Sequence, residues 1–432
     1  MSILFTDCRL LLRSEGVYSV MDGFLGVEGA YIDYIGKDRP KKGYSTEKRM
    51  GGALLMPGLV NAHGHAAMTL LRGVGSELPL QDWLFGKIIP IEDRMIADDI
   101  RWGTLYAVME MLACGTTCFA DMYSFTLEET EAIEDCGIKA NICSLPLICG
   151  DPTLEAHECD RILKAAEYHR AIDARGEGRI LSDFCVHSEY LSTEKTLGPY
   201  LEIARELGAR IQIHISETEK EQLECIERHG CTPMEYFERS GALDNPVCAA
   251  HGVWLTDSDI EIAREKGVTV AHCPSSNMKL ASGFAPVKKM LDMGVNVALG
   301  TDGCASNNNL NMFEEMHLAA LIHKGDGREP SAVSPAAVLD MATINGAKAM
   351  GRPDCGRLEV GARADIVALN MNALHMRPAL DIPALLCYSA QGSDVLMTMA
   401  DGRILYKNGE FLTIDEEKVT AEFERCCGRL LG

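Results

Sequence analysis

The residues best suited to chemistry begin with two histidines one residue apart. His63 and His65 stand at the end of an apolar run, in the segment 59–65. Because successive side chains of a β-strand point to opposite faces, residues two apart share a face. Two imidazoles on one face can bind one metal ion; the alternative is a pair of polar residues where a strand leaves the core. The segment alone leaves both interpretations open.

Other metal-binding residue types follow apolar runs far downstream. In the run 211–216, isoleucines alternate with polar residues, so His214 faces away from the isoleucines, and Glu217 lies just beyond it. The alternation of residues 295–302 places Asp302 on a face whose neighbouring residues are small. Three imidazoles and one carboxylate suit a borderline cation such as Zn²⁺ and leave coordination positions for water.

Histidines recur at the ends of such runs more often than chance placement would explain. A single histidine there is more often a satisfied core residue than a ligand. Half of the 12 histidines lie on or beside these ends: His63, His65, His187, His214, His251 and His272. Five or six on one rim of a fold favour a shared site.

The elements that must position these residues follow a repeating pattern of a strand and then a helix. Eight apolar runs are separated by amphipathic segments: 54–61, 116–121, 138–145, 180–187, 211–216, 247–253, 268–273 and 295–300. Eight such units over ~250 residues predict a (β/α)8 TIM barrel, which carries its chemistry at the C-terminal ends of the strands. A doubly wound sheet would also alternate, but no glycine-rich dinucleotide loop follows any run.

Both chain ends have the shorter rhythm of β-strands and turns. We expect them to pair into a small β-sandwich domain, built from residues 1–55 and 351–432, beside a barrel of residues 56–350. The fold class is therefore α/β, a barrel with a second, smaller domain.

Composition and charge exclude several classes of protein. A formal net charge of −22 argues against nucleic-acid binding, and no apolar run approaches the ~20 residues of a membrane helix. The N-terminus has no signal-peptide pattern and the 17 cysteines no CxxC pair, so we expect a cytoplasmic protein with reduced thiols. We expect a small-molecule ligand, no nucleic-acid partner and no membrane association; whether the chain forms homo-oligomers stays open.

Taken together, these motifs resemble the amidohydrolase superfamily. They are Pro57-Gly58 before His63-Gly64-His65, then His214-Ile215-Ser216-Glu217, Ala250-His251 and Gly300-Thr301-Asp302-Gly303. Within it, segments 66–73, 83–84 and 272–280 are similar to the 5-methylthioadenosine/S-adenosylhomocysteine deaminase family. The resemblance covers nearly the whole chain. It is specific for the branch that also holds guanine deaminases and triazine hydrolases, and less specific for the substrate.

The resemblance implies roles for the candidate residues. The metal ligands would be His63, His65, His214 and Asp302, binding one divalent transition metal, Zn²⁺ or alternatively Fe²⁺. Glu217 would contact the substrate and carry a proton to its ring nitrogen. His251 would hold the attacking water, and Asp302 would take the proton of that water.

Substrate contacts are implied at two further positions. A ribose-binding carboxylate falls on Glu92 and a substrate-contacting imidazole on His187. The alternative for Glu92 is an acid in the first turn of a helix, where it complements the dipole. The arginines that contact the 5′ end of the substrate in some members have only loose candidates here: Arg161, Arg170, Arg175 and Arg179.

The expected activity is hydrolytic deamination of an adenine nucleoside to the inosine analogue and ammonia. Substrates of this class are 5′-methylthioadenosine, S-adenosylhomocysteine, 5′-deoxyadenosine and adenosine. One alternative is a guanine, pterin or triazine aminohydrolase of the same superfamily, against which Glu92 argues because those rings carry no ribose. The other is a catalytically inactive barrel kept for binding, which the intact set of candidate residues disfavours.

Overall fold

The structure is a computed structural model that describes residues 2–123, 127–143 and 145–432. Elements are numbered in chain order. The N-terminal segment contributes five strands: β1 (Ser2–Ser14), β2 (Val17–Glu28), β3 (Tyr31–Gly36), β4 (Thr46–Arg49) and β5 (Leu54–Pro57). Strands β1 to β3 form an antiparallel meander, and β4 and β5 pair with β1 in parallel.

A parallel barrel of eight strands follows. Its strands are β6 (Leu59–Asn61), β8 (Thr116–Asp121), β9 (Lys139–Cys143), β10 (Ile180–Val186), β11 (Ile211–Ile215), β12 (Val247–His251), β13 (Thr269–His272) and β14 (Asn296–Leu299). The amide of Ala62 donates to the carbonyl of Leu299 (2.8 Å), which brings the last strand beside the first. At the rim, β7 (Gly64–His65) pairs with β15 (Asp302–Gly303).

The C-terminal segment completes the second sheet with β16 (Ile366–Leu369), β17 (Val395–Ala400), β18 (Arg403–Lys407) and β19 (Glu410–Phe411). The two chain ends meet where β16 pairs with β5, and the nine strands form one continuous sheet. The predicted α/β fold, a TIM barrel with a smaller β-domain from both chain ends, is confirmed. The domain boundaries at residues 55 and 350 stay a prediction.

All eight predicted runs contain a barrel strand, but the first run is two strands and not one. Residues 54–57 belong to the nine-stranded sheet and residues 59–61 to the barrel. Gly58 lies between them, where a Cβ atom would come within 2.2 Å of the Thr117 hydroxyl. A glycine is needed here because the neighbouring strand leaves no space for a side chain. Residue 144, in the third predicted run, lies outside the described residues.

The described residues form the helices α1 (Leu80–Trp83), α2 (Ile89–Glu92), α3 (Ala97–Ala113), α4 (Leu127–Cys136), α5 (Asp160–Ile172), α6 (Arg175–Gly178), α7 (Glu194–Glu206), α8 (Glu219–His229), α9 (Pro233–Arg239), α10 (Asp257–Lys266), α11 (Pro274–Lys279), α12 (Val287–Asp292), α13 (Met312–Gly327), α14 (Pro335–Ala342), α15 (Ile344–Ala349), α16 (Ile382–Tyr388) and α17 (Glu416–Leu431). Helices α1 to α12 lie in the connections between barrel strands, and α13 to α17 follow the last of these strands. Among them, none combines the length and the apolar character that crossing a membrane requires.

The alternation in β11 sorts its side chains as the sequence predicts. Ile211, Ile213 and Ile215 are fully buried in an apolar core that also contains Leu201 of α7 and Cys225 of α8. Their burial against the surrounding helices turns His214 towards the barrel axis. The periodicity of one strand therefore decides which of its residues reach the site.

Candidate active site

The candidate metal ligands lie at the carboxyl ends of barrel strands. His63 and His65 follow β6, His214 is in β11, and Asp302 follows β14; we call these four residues the metal cluster. All four are buried. The ligand atoms of the three histidines lie within 4.8 Å of one another, as do those of His63, Asp302 and the neighbouring His251.

Distances within the metal cluster are short. Asp302 Oδ1 lies 3.4 Å from His63 Nε2 and 3.2 Å from His65 Nε2. His214 Nε2 lies 3.3 Å from His65 Nε2. His63 Nε2 is buried without a hydrogen-bond partner among the described residues, a costly arrangement unless a ligand satisfies it. Four donor atoms converging in this way fit a divalent metal ion.

Hydrogen bonds outside the cluster orient two of its rings. His65 Nδ1 lies 2.7 Å from the carbonyl of Met122, and His214 Nδ1 lies 2.8 Å from the carbonyl of His187. A carbonyl can only accept, so each Nδ1 carries the proton and each Nε2 presents a lone pair to the centre. This is the tautomer that a metal-binding histidine needs.

The ionisation of His63 and His214 supports the same assignment, whereas the raised pKa of His65 favours the protonated form of that ring. Burial lowers the pKa of His63 to about 4 and places the pKa of His214 well below its ordinary value, so both rings are neutral. Burial also lowers the pKa of His65, but hydrogen bonding to Asp302 outweighs it and raises the pKa to about 9. Burial alone would raise the pKa of Asp302. Hydrogen bonding with the His63 and His65 rings outweighs burial and holds this pKa well below its usual range.

Asp302 reaches the cluster through a separate short strand. The sequence predicted that it continues the inward face of the eighth strand, but that strand ends at Leu299. In β15, Asp302 pairs with Gly64, and its amide donates to the carbonyl of His63 (3.0 Å). At Gly300 a Cβ atom would lie 2.8 Å from His63 Cβ, so only glycine allows this approach.

Two serines that the sequence analysis did not single out hold the other oxygen of Asp302. Ser276 Oγ donates to Asp302 Oδ2 at 2.6 Å and Ser306 Oγ at 2.7 Å. Behind them, the buried carboxylate of Glu315 accepts hydrogen bonds from Ser275 and Asn307. Ser276 lies within the motif 272–280, which offered a signal, whereas nothing in the sequence marks Ser306.

Glu217 and His251 stand beside the metal cluster. Glu217 Oε2 lies 3.8 Å from His251 Nε2, and both residues are buried. His251 Nδ1 lies 3.0 Å from Asn277 Oδ1, so Nδ1–H donates to the amide and Nε2 is an acceptor. Burial raises the pKa of Glu217, which favours its protonated form. The pair thus combines a proton donor with a hydrogen-bond acceptor.

The backbone at three strand ends adopts the left-handed region. Ser216 has φ of 48°, His251 of 71° and Asp302 of 61°. For residues with a Cβ atom this conformation costs ~1–3 kcal/mol each, and such strain concentrates at functional sites. The surrounding hydrogen bonds must stabilise these turns.

Two connected cavities open from the metal cluster. The inner cavity is lined by Glu217, His251, Asp302 and apolar residues that include Trp83. The outer cavity, of about 350 Å³, is lined by Glu92, Tyr123 and Arg161 among others. Both share four residues: His65, Met68, Leu84 and His187. His187 therefore stands where the two cavities meet, with its pKa lowered by burial to about 3.

Glu92 faces the outer cavity from the end of a helical segment. Helices α1 and α2 are joined by a π-helical turn, Leu84–Ile88, and Glu92 is the last residue of this continuous stretch. Glu92 lies in the first turn of the four-residue helix α2, but the continuous helical stretch begins at Leu80, so its N-terminus is distant from Glu92. The hydroxyl of Tyr123 donates to Glu92 Oε1 at 2.6 Å, and burial raises the pKa of the carboxyl group.

Of the four candidate arginines, Arg161 lies at the outer cavity, where it donates to the carbonyl of Pro146 (2.9 Å). Arg175 pairs with the Glu134 carboxylate and Arg179 donates to the Glu134 carbonyl, while Arg170 is exposed.

One rim histidine does not join the site. His272 ends β13, but its Nε2 lies 3.1 Å from His323 Nε2 on α13, away from the metal cluster. Its role is a buried contact between strand and helix.

The barrel and the cluster together define a class of proteins, the metal-dependent barrel hydrolases. Residues 54–405 match the model of the amidohydrolase family. The chain belongs to this family, as its motifs predict.

Known relatives match the whole chain. The 5-methylthioadenosine/S-adenosylhomocysteine deaminase of Acetivibrio thermocellus is 43% identical, with 100% of both chains covered. The 5′-deoxyadenosine deaminase of Methanosarcina mazei is 42% identical over 100% of this chain and 98% of that protein. The structure of a zinc-bound adenosine deaminase from Xanthomonas campestris superposes with a TM-score of 0.92 at 31% identity, covering 99% of this chain and 98% of that one.

Proposed function

We propose that this protein is a metal-dependent deaminase of adenine nucleosides, releasing ammonia and the inosine analogue. One observation carries the proposal. The cavity at the metal cluster adjoins, at His187, a second cavity that is lined by the Glu92 carboxylate. Relatives at 42–43% identity that are deaminases of 5′-modified adenosines, with the 5′ hydroxyl replaced or absent, support the same substrate class.

Substrate binding follows from the two cavities. The inner cavity has a volume of about 40 Å³, so only the amino-bearing edge of the purine ring would enter it, where Glu217 and His251 meet the metal cluster. The ribose would then reach the outer cavity and Glu92. A carboxylate has about four lone-pair positions, so Glu92 can accept from Tyr123 and also from the neighbouring 2′ and 3′ hydroxyls. Arg161 is placed to meet the 5′ substituent.

Different residues of the chain carry out the separate proton transfers of the hydrolysis. When bound, a divalent ion lowers the pKa of water and so supplies hydroxide near neutral pH. Nε2 of His251 accepts a hydrogen bond from the attacking water, and Asp302 takes its proton. Glu217 protonates the ring nitrogen beside the amino-bearing carbon, so negative charge does not accumulate there. The oxygen of the water becomes the 6-oxo group, and its second proton returns to Glu217. The amino group receives the proton held by Asp302 and leaves as ammonia.

The donor set favours zinc over iron. Three imidazoles and one carboxylate with open positions are typical of catalytic Zn²⁺ sites, and the adenosine deaminase that this chain resembles in structure contains zinc. We further infer a cytoplasmic location, because all 17 cysteines are free thiols.

The decisive test compares kcat/KM for 5′-methylthioadenosine, 5′-deoxyadenosine and 2′-deoxyadenosine, in wild type and in Glu92→Gln. Wild type should prefer the intact ribose by ~10-fold or more, because a buried acceptor left unpaired discriminates strongly. Glu92→Gln should lose most of this preference while keeping its metal.

Guanine, pterins and triazines serve as comparison substrates. A wild-type enzyme that prefers guanine, or a Glu92→Gln variant with an unchanged preference for ribose, would favour the alternative aminohydrolase. Metal binding without ammonia release from any member of the panel would favour the inactive barrel.

A further inference from the structure

A buried carboxylate without a role in the proposed chemistry lies directly behind Glu217. Glu221, in the first turn of α8, is 2% exposed. Its Oε1 accepts the amide of Ser216 at 3.0 Å, and its Oε2 accepts the amide of Glu217 at 2.7 Å. The two carboxylate oxygens thus accept hydrogen bonds from two successive backbone N–H groups, at the point where the chain leaves β11.

The backbone at this point needs such a contact. Ser216 has φ of 48°, a conformation that residues with a Cβ atom adopt rarely. It turns the chain sharply between His214, a metal ligand, and Glu217, which points into the inner cavity. The two hydrogen bonds that this carboxylate accepts fix the orientation of the two peptide units on either side of Ser216. They therefore fix the direction in which the Glu217 side chain leaves the backbone.

Glu221 is itself held in place. The Thr218 hydroxyl accepts the amide of Glu221 at 3.1 Å and caps α8. Within residues 216–221, the first turn of α8 is therefore hydrogen-bonded to the backbone that follows β11. Burial and the nearby Glu217 carboxyl group raise the pKa of Glu221 to about 7, and its hydrogen bonds with the two backbone amides act in the opposite direction.

We infer that Glu221 is a positioning residue for proton transfer by Glu217. The inference rests on the proposed function only for the role of Glu217 in proton transfer. Glu221 touches neither the metal cluster nor the cavities, and acts through the backbone of Glu217. Glutamine at this position has the same shape but a single acceptor oxygen, so one of the two amides would lose its partner.

The test is a double-mutant cycle with Glu221→Gln and Glu217→Gln, measured on metal-loaded enzyme with one deaminated nucleoside. Glu221→Gln should keep its metal content and KM, while kcat falls ~10- to 100-fold, since a misplacement of ~1 Å can have such an effect. In the Glu217→Gln background, Glu221→Gln should lower kcat by less than 3-fold. Glu219→Gln, at an exposed acid of the same helical turn, is the matched control and should leave kcat unchanged.

The cycle separates the inference from a general structural role. Equal fold-losses in both backgrounds, or a loss of metal in Glu221→Gln, would overturn the inference. An unchanged kcat in Glu217→Gln alone would instead contradict the role of Glu217 in the proposed function. If Glu221→Gln does not fold, Glu221→Asp replaces it; this variant keeps the charge but is one methylene shorter, and the same dependence on Glu217 is expected.

Discussion

The two ends of the site are held in different ways. At the metal end, the residues around the cluster have second contacts that fix their orientation: His65 with Met122, His214 with His187, His251 with Asn277, and Asp302 with Ser276 and Ser306. At the outer cavity, where we propose that ribose binds and which we call the ribose end, Glu92 ends a helical stretch interrupted by a π-helical turn, and its Oε1 accepts a hydrogen bond from Tyr123.

Because of this difference, the residues proposed to carry out the reaction are held independently of the residues proposed to select the substrate. The metal end is buried and built on barrel strands, so a change there disturbs several interlocked contacts. The ribose end is carried by a connection between elements, where substitution is better tolerated. Substitutions at the ribose end can therefore change the substrate without disturbing the metal cluster.

The largest effect should come from the metal end itself. His63→Ala removes the buried ring whose Nε2 has no partner among the described residues. We expect loss of the metal and no measurable ammonia release. Elemental analysis and turnover should be compared with His157→Ala, which changes an exposed histidine. A stoichiometric metal content with normal turnover in His63→Ala would contradict the assignment of this residue as a ligand.

An intermediate effect should follow from loosening Asp302. Ser276→Ala removes one of the two hydroxyls that hold Asp302 Oδ2. Removing such an outer partner typically lowers metal affinity by ~10- to 100-fold. Competition with a chelator would measure this change, and turnover at saturating metal should recover in part. If the affinity is unchanged, Ser306 alone orients the carboxylate and the metal end is less interlocked than described.

The smallest effect should come from the ribose end. Tyr123→Phe removes the hydroxyl that donates to Glu92 but keeps the ring in place. We expect a KM for adenosine that rises up to ~10-fold, the range of one ordinary hydrogen bond of ~0.5–1.5 kcal/mol, with kcat nearly unchanged. Measurement with 2′-deoxyadenosine should show a smaller rise. A fall in kcat with an unchanged KM would mean that the ribose end takes part in the reaction.

The sequence by itself determined the features that depend on local periodicity. Alternation of isoleucines in residues 211–215 decides that His214 faces the barrel axis, because their burial against the helices leaves the other face for the site. The spacing of His63 and His65 also predicts two imidazoles close together, but β6 ends at Asn61 and His63 lies in a bend before β7, so alternation along one strand is not the reason. Repetition of strand and helix predicts the barrel, and the barrel in turn predicts which ends of the strands carry chemistry.

Only the tertiary structure decided the contacts between segments far apart in the chain. Asp302 joins the metal cluster through pairing of β15 with β7, across more than 200 residues, and not by extending the eighth strand. His272 turned to His323 and away from the rim. Glu92 is the end of a helical stretch, which Tyr123 meets from the end of β8. Such contacts depend on how whole helices and strands pack together. The periodicity of one segment does not show which distant segment packs against it.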